Sequence, residues 1–541
     1  MSVSAPVSTA VPPTAPPRCL LAVVLTVAVM AFLPALQIGF LADDFVYIAR
    51  FYTMPWSAWP QFFTHEWSGG VWGQPLKELR PFAALSFMID ARLWGGNATG
   101  YRLVNLALHL AATGLVARLA WHYAKALPSP HSARAAALIA GLVFAVHPAH
   151  VETVAWITGR ADLLGSVAAL AFLLSGELYS ERGTRTHAAL CLAALFVGIF
   201  TKEFCLTVPL LLILRWLLLD ARAGRTVWQR RVLLFAGAIA VTAVYVAARR
   251  AAFGSDPTTG FFGWNDGPAW NRQAGYAGWI VPILPFTTGH EWAAPPSLTV
   301  LRTFWIVFAA AVGLALVVAV LRRATWAGAV FFGGLWWFAT TLGLFVVVYF
   351  SPRHLYLPSA GVAIGLGLML DSNRPRRLLA GVVIVWCLAA HFTALRPWRE
   401  AGRISREVIA AVDTHLAGAG ENTIALIAVP ETFNHVLLWA WSSPQALGAP
   451  FLVHPRTPAQ VLERPVNYVR SETWVADHHP VETVCAAGSA VAVFVGPDGR
   501  VHHRLVPRTE LTTRADELAK LVVQGLNPDN LTAWLKSCAQ P

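Results

Sequence analysis

The segment HPAHVETVAWITGRADLLGS, residues 147–166, places two histidines, two acids and an arginine between two apolar runs. These runs, roughly residues 133–150 and 162–180, have the length of about 17 to 25 residues that crosses a bilayer. Ionisable side chains at membrane depth are costly to desolvate, and they usually line a cavity or a substrate path. The segment therefore predicts a polar site at one face of a bundle of membrane helices.

The composition of the whole chain also indicates a membrane protein. Of the 541 residues, 56% are hydrophobic and 13% are charged, whereas a soluble domain carries about 25% charged residues. The net charge is +12, and the basic residues are scattered between apolar runs rather than clustered. This distribution argues against nucleic acid as a partner and favours a membrane surface and an anionic lipid.

Eleven apolar runs are candidate membrane spans. The first extends from Cys19 to Phe40, which is longer than the apolar core of about 7 to 15 residues in a signal peptide, so we expect an uncleaved helix. The others are roughly residues 101–123, 133–150, 162–180, 187–201, 204–220, 232–250, 301–321, 325–349, 355–371 and 378–395.

The basic loops give these spans an orientation. With the N-terminus in the cytoplasm, every cytoplasmic loop carries Lys or Arg, as the positive-inside rule requires. The outer side then holds the loop 41–100, the loop 251–298 and everything after the last span. We divide the chain into a disordered cytoplasmic tail (1–17), a transmembrane catalytic domain (18–400) and an extracytoplasmic domain (401–541).

Three outer stretches predict structure of their own. RPFAALSFMIDARLWGG (80–96) has apolar residues at helical spacing and is expected to lie in the membrane interface. TIALIAVP (423–430) predicts a buried strand, and AVAVFVGPDGRVHHRLV (490–506) predicts a hairpin that turns at Pro-Asp-Gly. The C-terminal region is therefore a small α/β domain, in which Cys485 and Cys538 either form a disulfide or remain two free thiols.

Charges on the outer side break the orientation rule. They lie beside the acidic pair Asp43 and Asp44 of FLADDFVYIAR (40–50), at the same membrane face, and one outer cavity would bring them together. The four segments that carry these charges are residues 147–166, TKEF (201–204), AARRAAF (247–253) and FSPRHLYLPS (350–359).

Such a cavity suits transfer of a sugar from a lipid phosphate. Arginine and lysine hold phosphate by charge-assisted hydrogen bonds, and a carboxylate deprotonates a hydroxyl acceptor. Without a base, the same cavity would serve a transporter or flippase of a lipid-linked sugar, although such proteins usually show internal repeats and none is visible. Asp43, Asp44 and Glu152 are also oxygen ligands suited to a divalent cation, so metal dependence stays open.

Several motifs in order along the chain resemble one family. HPAHVETVAWITGRADLL resembles the signature segment of the transmembrane and tetratricopeptide-repeat protein O-mannosyltransferases and their bacterial relatives. TKEF followed by TVPLLLIL is similar to their Ser-Lys-Glu segment, and RHLYLPSAG to their Arg-Tyr-Leu-Tyr-Leu-Pro-Ser segment. Arg80-Pro81 and NLALHL (105–110) fit their first loop and second span. The resemblance covers about residues 20–400 and implies a polytopic α-helical protein of the type C glycosyltransferase fold (GT-C).

The resemblance also implies an activity, namely inverting transfer of a sugar from a polyprenyl-phosphate donor to an extracytoplasmic acceptor. Mannose is the default sugar, with other hexoses or pentoses open, and the acceptor is a protein, a lipid or an envelope glycan. The abundance of Ala and Arg indicates a GC-rich bacterial source, hence the inner (plasma) membrane and an undecaprenyl- or decaprenyl-linked donor. This chain departs from the family at Pro352, at His354 and in its different C-terminal domain.

The expected site residues follow from the matched motifs. Asp43 is expected to be the general base, with Asp44 as its orienting partner and Glu152 as a further acid. The residues expected to hold the donor phosphate are Arg160, Lys202, Arg353, His354, Arg249 and Arg250. The remaining cavity candidates are His147, His150, Asp162, Glu203, Tyr356 and Arg80.

These residues also have structural interpretations. The acidic pair could be a solvated loop start or a helix cap, and His147-Pro148 could simply end a helix. Glu152 could pair with Arg160, Lys202 with Glu203, and Arg249 and Arg250 could extend to lipid headgroups.

Overall fold

The computed structural model describes residues 15–69, 77–126, 132–219, 224–254, 327–341, 351–440, 443–463 and 479–540. The expected span 301–321 lies outside these residues, as do most of the tail 1–17 and the loop 251–298. The expected span 325–349 is described only over Ala327–Thr341.

The described residues up to Leu416 are mainly helical. The first helix continues into a 3-10 helix at Leu33–Gln37, so the first apolar run is helical as expected. The helices are α1 (Arg18–Phe32), α2 (Asp44–Thr53), α3 (Pro81–Trp94), α4 (Ala98–Ala126), α5 (Ala133–Ala145), α6 (His150–Ala155), α7 (Arg160–Arg182), α8 (Arg185–Ile199), α9 (Val208–Leu219), α10 (Arg225–Phe253), α11 (Ala327–Thr341), α12 (Tyr356–Leu370) and α13 (Arg374–Leu416).

The described helices agree with a protein that crosses the membrane several times. Within the described ranges, five helical segments are long and apolar enough to cross a bilayer by length and composition. They are Arg18–Gln37, Ala98–Ala126, Ile157–Arg182, Arg225–Phe253 and Arg374–Leu416. Shorter apolar helices, such as α5 and α8, coincide with other predicted spans, and the count of eleven stays a prediction.

The loop after α1 folds onto the bundle as α2, a 3-10 helix at Trp56–Phe63, and α3. Helix α3 lies where the interfacial helix was expected. Its Phe87 and Met88 are fully buried, whereas Leu93 is 66% exposed. One face of α3 therefore packs on the core and leaves an apolar edge outward.

The sequence predicted that this helix ends near residue 395, but α13 continues for about six more turns to Leu416. The reason is a second apolar stripe, because Ile404, Val408 and Val412 are all fully buried. This stripe packs against strands of the C-terminal sheet. One rigid helix therefore joins the membrane part to the C-terminal domain across the expected boundary at residue 400.

The C-terminal domain is α/β, as predicted. Its sheet has the order β4-β1-β5-β6, in which β1 is parallel to β4 and β5 while β6 is antiparallel to β5. Strands β5 and β6 form the predicted hairpin, and Cys485 and Cys538 are both free thiols. The elements are β1 (Thr423–Ala428), β2 (Thr432–Phe433), β3 (Val436–Leu437), α14 (Ser443–Ala446), β4 (Val461–Glu463), α15 (Pro480–Ala486), β5 (Ser489–Val495), β6 (Val501–Pro507), α16 (Arg508–Gly525) and α17 (Pro528–Ala539).

Candidate active site

The two acids of FLADDFVYIAR lie in different environments. Asp44 is fully buried, and its carboxylate accepts hydrogen bonds from the backbone N–H of Leu41 (3.0 Å) and of Thr158 (3.2 Å). Asp43 is only partly buried, and its Oδ1 accepts a hydrogen bond from the hydroxyl of Thr158 at 2.9 Å. Asp44 is therefore held inside the protein, while Asp43 stays partly exposed.

Residue 158 is itself fixed by two buried side chains of α4. Arg102 donates to the carbonyl of Ala155 at 2.7 Å and to the carbonyls of Ile38 (2.7 Å) and Gly39 (2.6 Å). Its guanidinium also lies 3.9 Å from Asp44. Arg102 therefore ties the chain before the acidic pair to the chain before residue 158.

Asn105, one turn further along α4, holds the next stretch. Its side-chain amide donates to the carbonyl of Trp156 at 3.1 Å, and its side-chain oxygen accepts from Arg160 Nε at 2.7 Å. Both Arg102 and Asn105 are buried. Together they fix the short connection between α6 and α7, from which residue 158 reaches the acids.

Four side chains form a row of alternating charges, the charge row: Glu152, Arg353, Asp162 and Lys202. Arg353 Nη1 lies 3.2 Å from Glu152 Oε1, and Arg353 Nε lies 3.9 Å from Asp162 Oδ2. Lys202 Nζ lies 3.5 Å from the same Asp162 oxygen. The guanidinium of Arg353 also stacks on the ring of Trp156, 4.6 Å from its centroid. The structure thus brings together two predicted cations and two predicted acids from three separate segments.

A second ion-pair group adjoins this row. Arg80 pairs with Glu203 at 2.8 Å and with Glu78 at 2.8 Å. The indole N–H of Trp67 donates to Glu78 at 2.7 Å. The charge of Lys202 opposes the rise in the pKa of Glu78, and burial together with the charge of Arg80 lowers the pKa of Lys202. The expectation that Lys202 pairs with Glu203 is therefore replaced by two pairs, Lys202 with Asp162 and Glu203 with Arg80.

Arg160 lies away from this row. It is fully buried, pairs with Asp90 of α3, and donates to Asn105 and to the carbonyl of Tyr101 (2.8 Å). The suggested pair between Glu152 and Arg160 is not formed, because Glu152 lies against Arg353 and Ser351. In this arrangement Arg160 fastens α3 and α4 to the start of α7.

The histidines and Tyr356 lie in a buried layer beside the row. His150 Nε2 is 2.7 Å from the hydroxyl of Ser359, and His147 lies 5.2 Å from His150 between ring centroids. His109 Nδ1 is 2.7 Å from the hydroxyl of Tyr356. His150 and Tyr356 are fully buried and their rings are in contact, so this layer packs the segment 147–166 against the protein interior.

The remaining basic candidates lie at the C-terminal end of α10 and in the 3-10 helix Pro352–Leu355. Arg249 stacks over Phe253 at 5.8 Å. Arg250 borders a groove of about 660 Å³ between α9 and α10, whose other lining is almost entirely apolar. His354 is partly buried and follows Arg353 directly. Arg249 and Arg250 therefore lie on α10, and His354 lies next to Arg353 in the chain.

Burial shifts the pKa values of four groups of the site, Asp43, Asp44, Glu152 and Lys202. It raises the pKa of Asp43 to about 6, although nearby Arg353 and the Thr158 hydroxyl oppose the rise. It also raises the pKa of Asp44 to about 8 against the pull of Arg102. Burial similarly raises the pKa of Glu152 and lowers that of Lys202.

A metal centre would require several ligands to converge. Within the described ranges, no three side chains of His, Cys, Asp or Glu form a group that could hold a metal ion. Asp43, Asp44 and Glu152 do not form such a group; their hydrogen bonds and ion pairs include those with Thr158, Leu41, Arg102, Ser351 and Arg353.

Sequence reasoning missed several residues that build the site. Four buried side chains hold the segments of the site together through hydrogen bonds and ion pairs: Arg102, Asn105, Asp90 and Glu78. A signal existed for Arg102, because it is a basic residue at the predicted outer end of the span 101–123, where the orientation rule disfavours one. Thr158 carried no such signal, since a hydroxyl in a polar segment is ordinary.

Fold and site together define a multi-pass membrane protein of the GT-C fold. The solved structure of ArnT from Cupriavidus metallidurans bound to undecaprenyl phosphate superposes with a TM-score of 0.52 over 89% of this chain and 93% of that chain, at 15% identity. At that identity the likeness establishes the fold alone.

The chain also resembles protein O-mannosyl-transferases in sequence. It is 37% identical over 146 residues to Tmtc1 of Drosophila melanogaster and 40% identical over 133 residues to TMTC2 of Mus musculus, which is 26% and 23% of this chain. The matched segments span only 16% and 15% of those relatives' own length. No family model matches the chain.

Proposed function

We propose that this protein is an inverting glycosyltransferase that moves a sugar from a polyprenyl-phosphate donor to a hydroxyl acceptor. The observation that carries the proposal is the partly exposed Asp43, which is held by the Thr158 hydroxyl within electrostatic reach of the Arg353 cation. Burial raises the pKa of Asp43 to about 6, and Arg353 opposes the rise. A carboxylate with a pKa near the working pH is suited to general-base catalysis. A phosphate-binding cation next to a base is the pairing that this transfer needs.

The donor phosphate is proposed to bind at the charge row. Arg353 and Lys202 are each paired with an acid, Glu152 or Asp162, so their charges are already held in place before a substrate arrives. A phosphate that enters the row exchanges these carboxylate contacts for its own oxygens, and desolvation makes such contacts stronger than in water. Arg353 and Lys202 are the proposed donor-phosphate ligands.

The lipid tail is proposed to lie in the groove between α9 and α10. From Phe235 to Arg250 the groove follows about 22 Å of helix at 1.5 Å per residue. Its lining residue Leu206 lies four positions after Lys202 of the charge row along the chain. Arg250 is the one charged residue among its lining, and it would meet a phosphate or headgroup at that end.

The proposed reaction is a single displacement. The acceptor oxygen attacks the anomeric carbon, its proton passes to Asp43, and the bond between that carbon and the phosphate oxygen breaks. The bonding electrons leave with polyprenyl phosphate, whose growing charge Arg353 and Lys202 stabilise. One displacement inverts the anomeric centre. Asp44 and Arg160 hold the base and the segment 147–166 in place without touching the substrate.

Several finer points belong to the same proposal. The relatives' name as O-mannosyl-transferases makes mannose the first sugar to test. The donor is proposed to be undecaprenyl- or decaprenyl-linked, in a bacterial inner membrane with the site on the extracytoplasmic side. A protein, lipid or envelope glycan supplies the hydroxyl.

The experiment is mass spectrometry of envelope fractions from a deletion strain complemented with wild-type protein, Asp43→Asn or Asp43→Glu. We expect a missing sugar in the deletion strain that wild type restores, Asp43→Asn does not restore, and Asp43→Glu restores in part. Full restoration by Asp43→Asn would remove the base from the mechanism and favour a transporter of lipid-linked sugar.

A further inference from the structure

The C-terminal domain contacts the loop that carries the acidic pair. The backbone N–H of Ala42 donates to the carbonyl of Leu438 at 2.7 Å. Ala42 has a φ of +46°, in the left-handed region that alanine rarely adopts. A conformation of this kind persists only where surrounding contacts enforce it, and Leu438 supplies one such contact.

A second hydrogen bond to the same loop is formed two residues earlier, at Phe40. The hydroxyl of Ser405, on α13, donates to the carbonyl of Phe40 at 2.7 Å. The same oxygen accepts the indole N–H of Trp439 at 2.9 Å. All three residues are buried. The α13 helix and the segment after β3 therefore hold the loop from two directions.

Ring packing and a close helix approach complete the contact. Phe45 packs edge-on against Trp439 at 5.5 Å and against Phe451 at 4.9 Å. Gly402 of α13 lies so near the loop that an added Cβ would come 2.7 Å from the backbone nitrogen of Gly39. The loop is thus enclosed by residues that come after position 400.

We propose that the C-terminal domain positions the catalytic acid through a loop clamp, defined as Ser405, Leu438 and Trp439. The inference rests on the proposed function, because it assigns a role in catalysis to residues that touch no substrate. The clamp holds Ala42 in its left-handed conformation, and that turn fixes the direction in which Asp43 points.

The geometry around the turn explains why the direction matters. With Ala42 in this conformation, Asp44 caps the loop at Leu41 and both acids face Thr158. A return of Ala42 to negative φ would rotate the following peptide and break these bonds together. The charged groups that face the pair are Arg353, which acts on Asp43, and Arg102, which acts on Asp44.

The test compares two substitutions of the same kind in the full-length protein. Trp439→Phe removes the indole donor of the clamp. Trp534→Phe, the matched control, removes a buried indole that donates to the carbonyl of Arg514 at 3.1 Å inside the C-terminal domain. Amide hydrogen exchange is followed in peptides that cover residues 38–47.

We expect Trp439→Phe to speed exchange in these peptides by roughly 5- to 30-fold, the equilibrium equivalent of one or two kcal/mol. Its kcat should fall by on the order of tenfold to a hundredfold through misplacement of the base, with KM for the donor unchanged. The acid limb of its pH–rate profile should also move below about 6, because release to water lowers the pKa of Asp43. Transfer is measured with radiolabelled polyprenyl-phospho-mannose and membranes of the deletion strain.

The outcomes separate the two proposals. Equal exchange over residues 38–47 in Trp439→Phe and Trp534→Phe would overturn the clamp, whatever the activity. Faster exchange in Trp439→Phe with kcat and the pH profile unchanged would overturn it as a positioning device. A wild-type protein that transfers no sugar, with the exchange difference present, would instead overturn the proposed function.

Discussion

The substitution Thr158→Val tests whether Asp43 is the group that titrates as the catalytic base. The Thr158 hydroxyl donates to Asp43 at 2.9 Å and stabilises its charged form, so its removal raises the pKa of Asp43. A hydrogen bond to a charged group contributes about 1.5–3 kcal/mol, and one pKa unit corresponds to about 1.4 kcal/mol. Because Asp43 is partly exposed and water replaces some of the loss, we take the lower end, about one unit.

The sign of the effect on activity follows from the role of a base. Asp43 must be ionised to accept the acceptor proton, so activity falls as pH drops through its pKa. The acid limb of kcat/KM should therefore move from about 6 in wild type to roughly 7 in Thr158→Val. The variant should be about fivefold slower at pH 6 and close to wild type at pH 8.5.

The assay is transfer from radiolabelled polyprenyl-phospho-mannose into deletion-strain membranes between pH 5 and 9. Thr158→Ser is the matched control, since it keeps the hydroxyl and should keep the wild-type limb. In both variants the backbone N–H of residue 158 still holds Asp44 at 3.2 Å. Identical acid limbs in Thr158→Val and Thr158→Ser would refute the assignment of Asp43 as the titrating base.

Three further substitutions test the supports of the site. At pH 9, above the pKa of about 8 that burial gives Asp44, Asp44→Asn leaves Arg102 without its buried counter-charge and should lower the free energy of unfolding by about 3–5 kcal/mol, measured by denaturation in detergent; an unchanged free energy at that pH would contradict the ion pair. Arg353→Lys keeps the charge but loses the planar stacking on Trp156. Transfer should drop about tenfold, and the KM for the donor should rise; unchanged kinetics would contradict its phosphate role. Gly402→Ala forces a Cβ against Gly39 and should destabilise the protein by about 1–3 kcal/mol; a wild-type melting temperature would contradict the close approach.

Local patterns in the sequence predicted much of the fold. Apolar run length located α4, α7 and α10, and a Pro-Asp-Gly turn between alternating strands located the β5–β6 hairpin. Asp162, Lys202 and Arg353 were predicted as site residues because their segments carry charge where the positive-inside rule predicts the outer face, and the structure brings them into one row. These features could be predicted because they depend on residues close together in the sequence or on the positive-inside rule, which applies to every loop.

The pairing of the charges could not be read from the sequence in the same way. Arg160 is eight residues from Glu152 but pairs with Asp90, 70 positions away, because α3 folds back against the start of α7. The bond from Ala42 to Leu438 joins residues nearly 400 positions apart. Such partners are set by how helices pack, and no local pattern marks them.

The central claim is that Asp43 is the base of a glycosyl transfer, and Asp43→Asn in the purified full-length protein tests it most directly. Single-turnover transfer from polyprenyl-phospho-mannose is measured together with binding of the same donor. We predict transfer slower by about 10²- to 10⁴-fold with donor binding retained, since Asn cannot take the acceptor proton. Transfer at the wild-type rate with intact binding would contradict the claim.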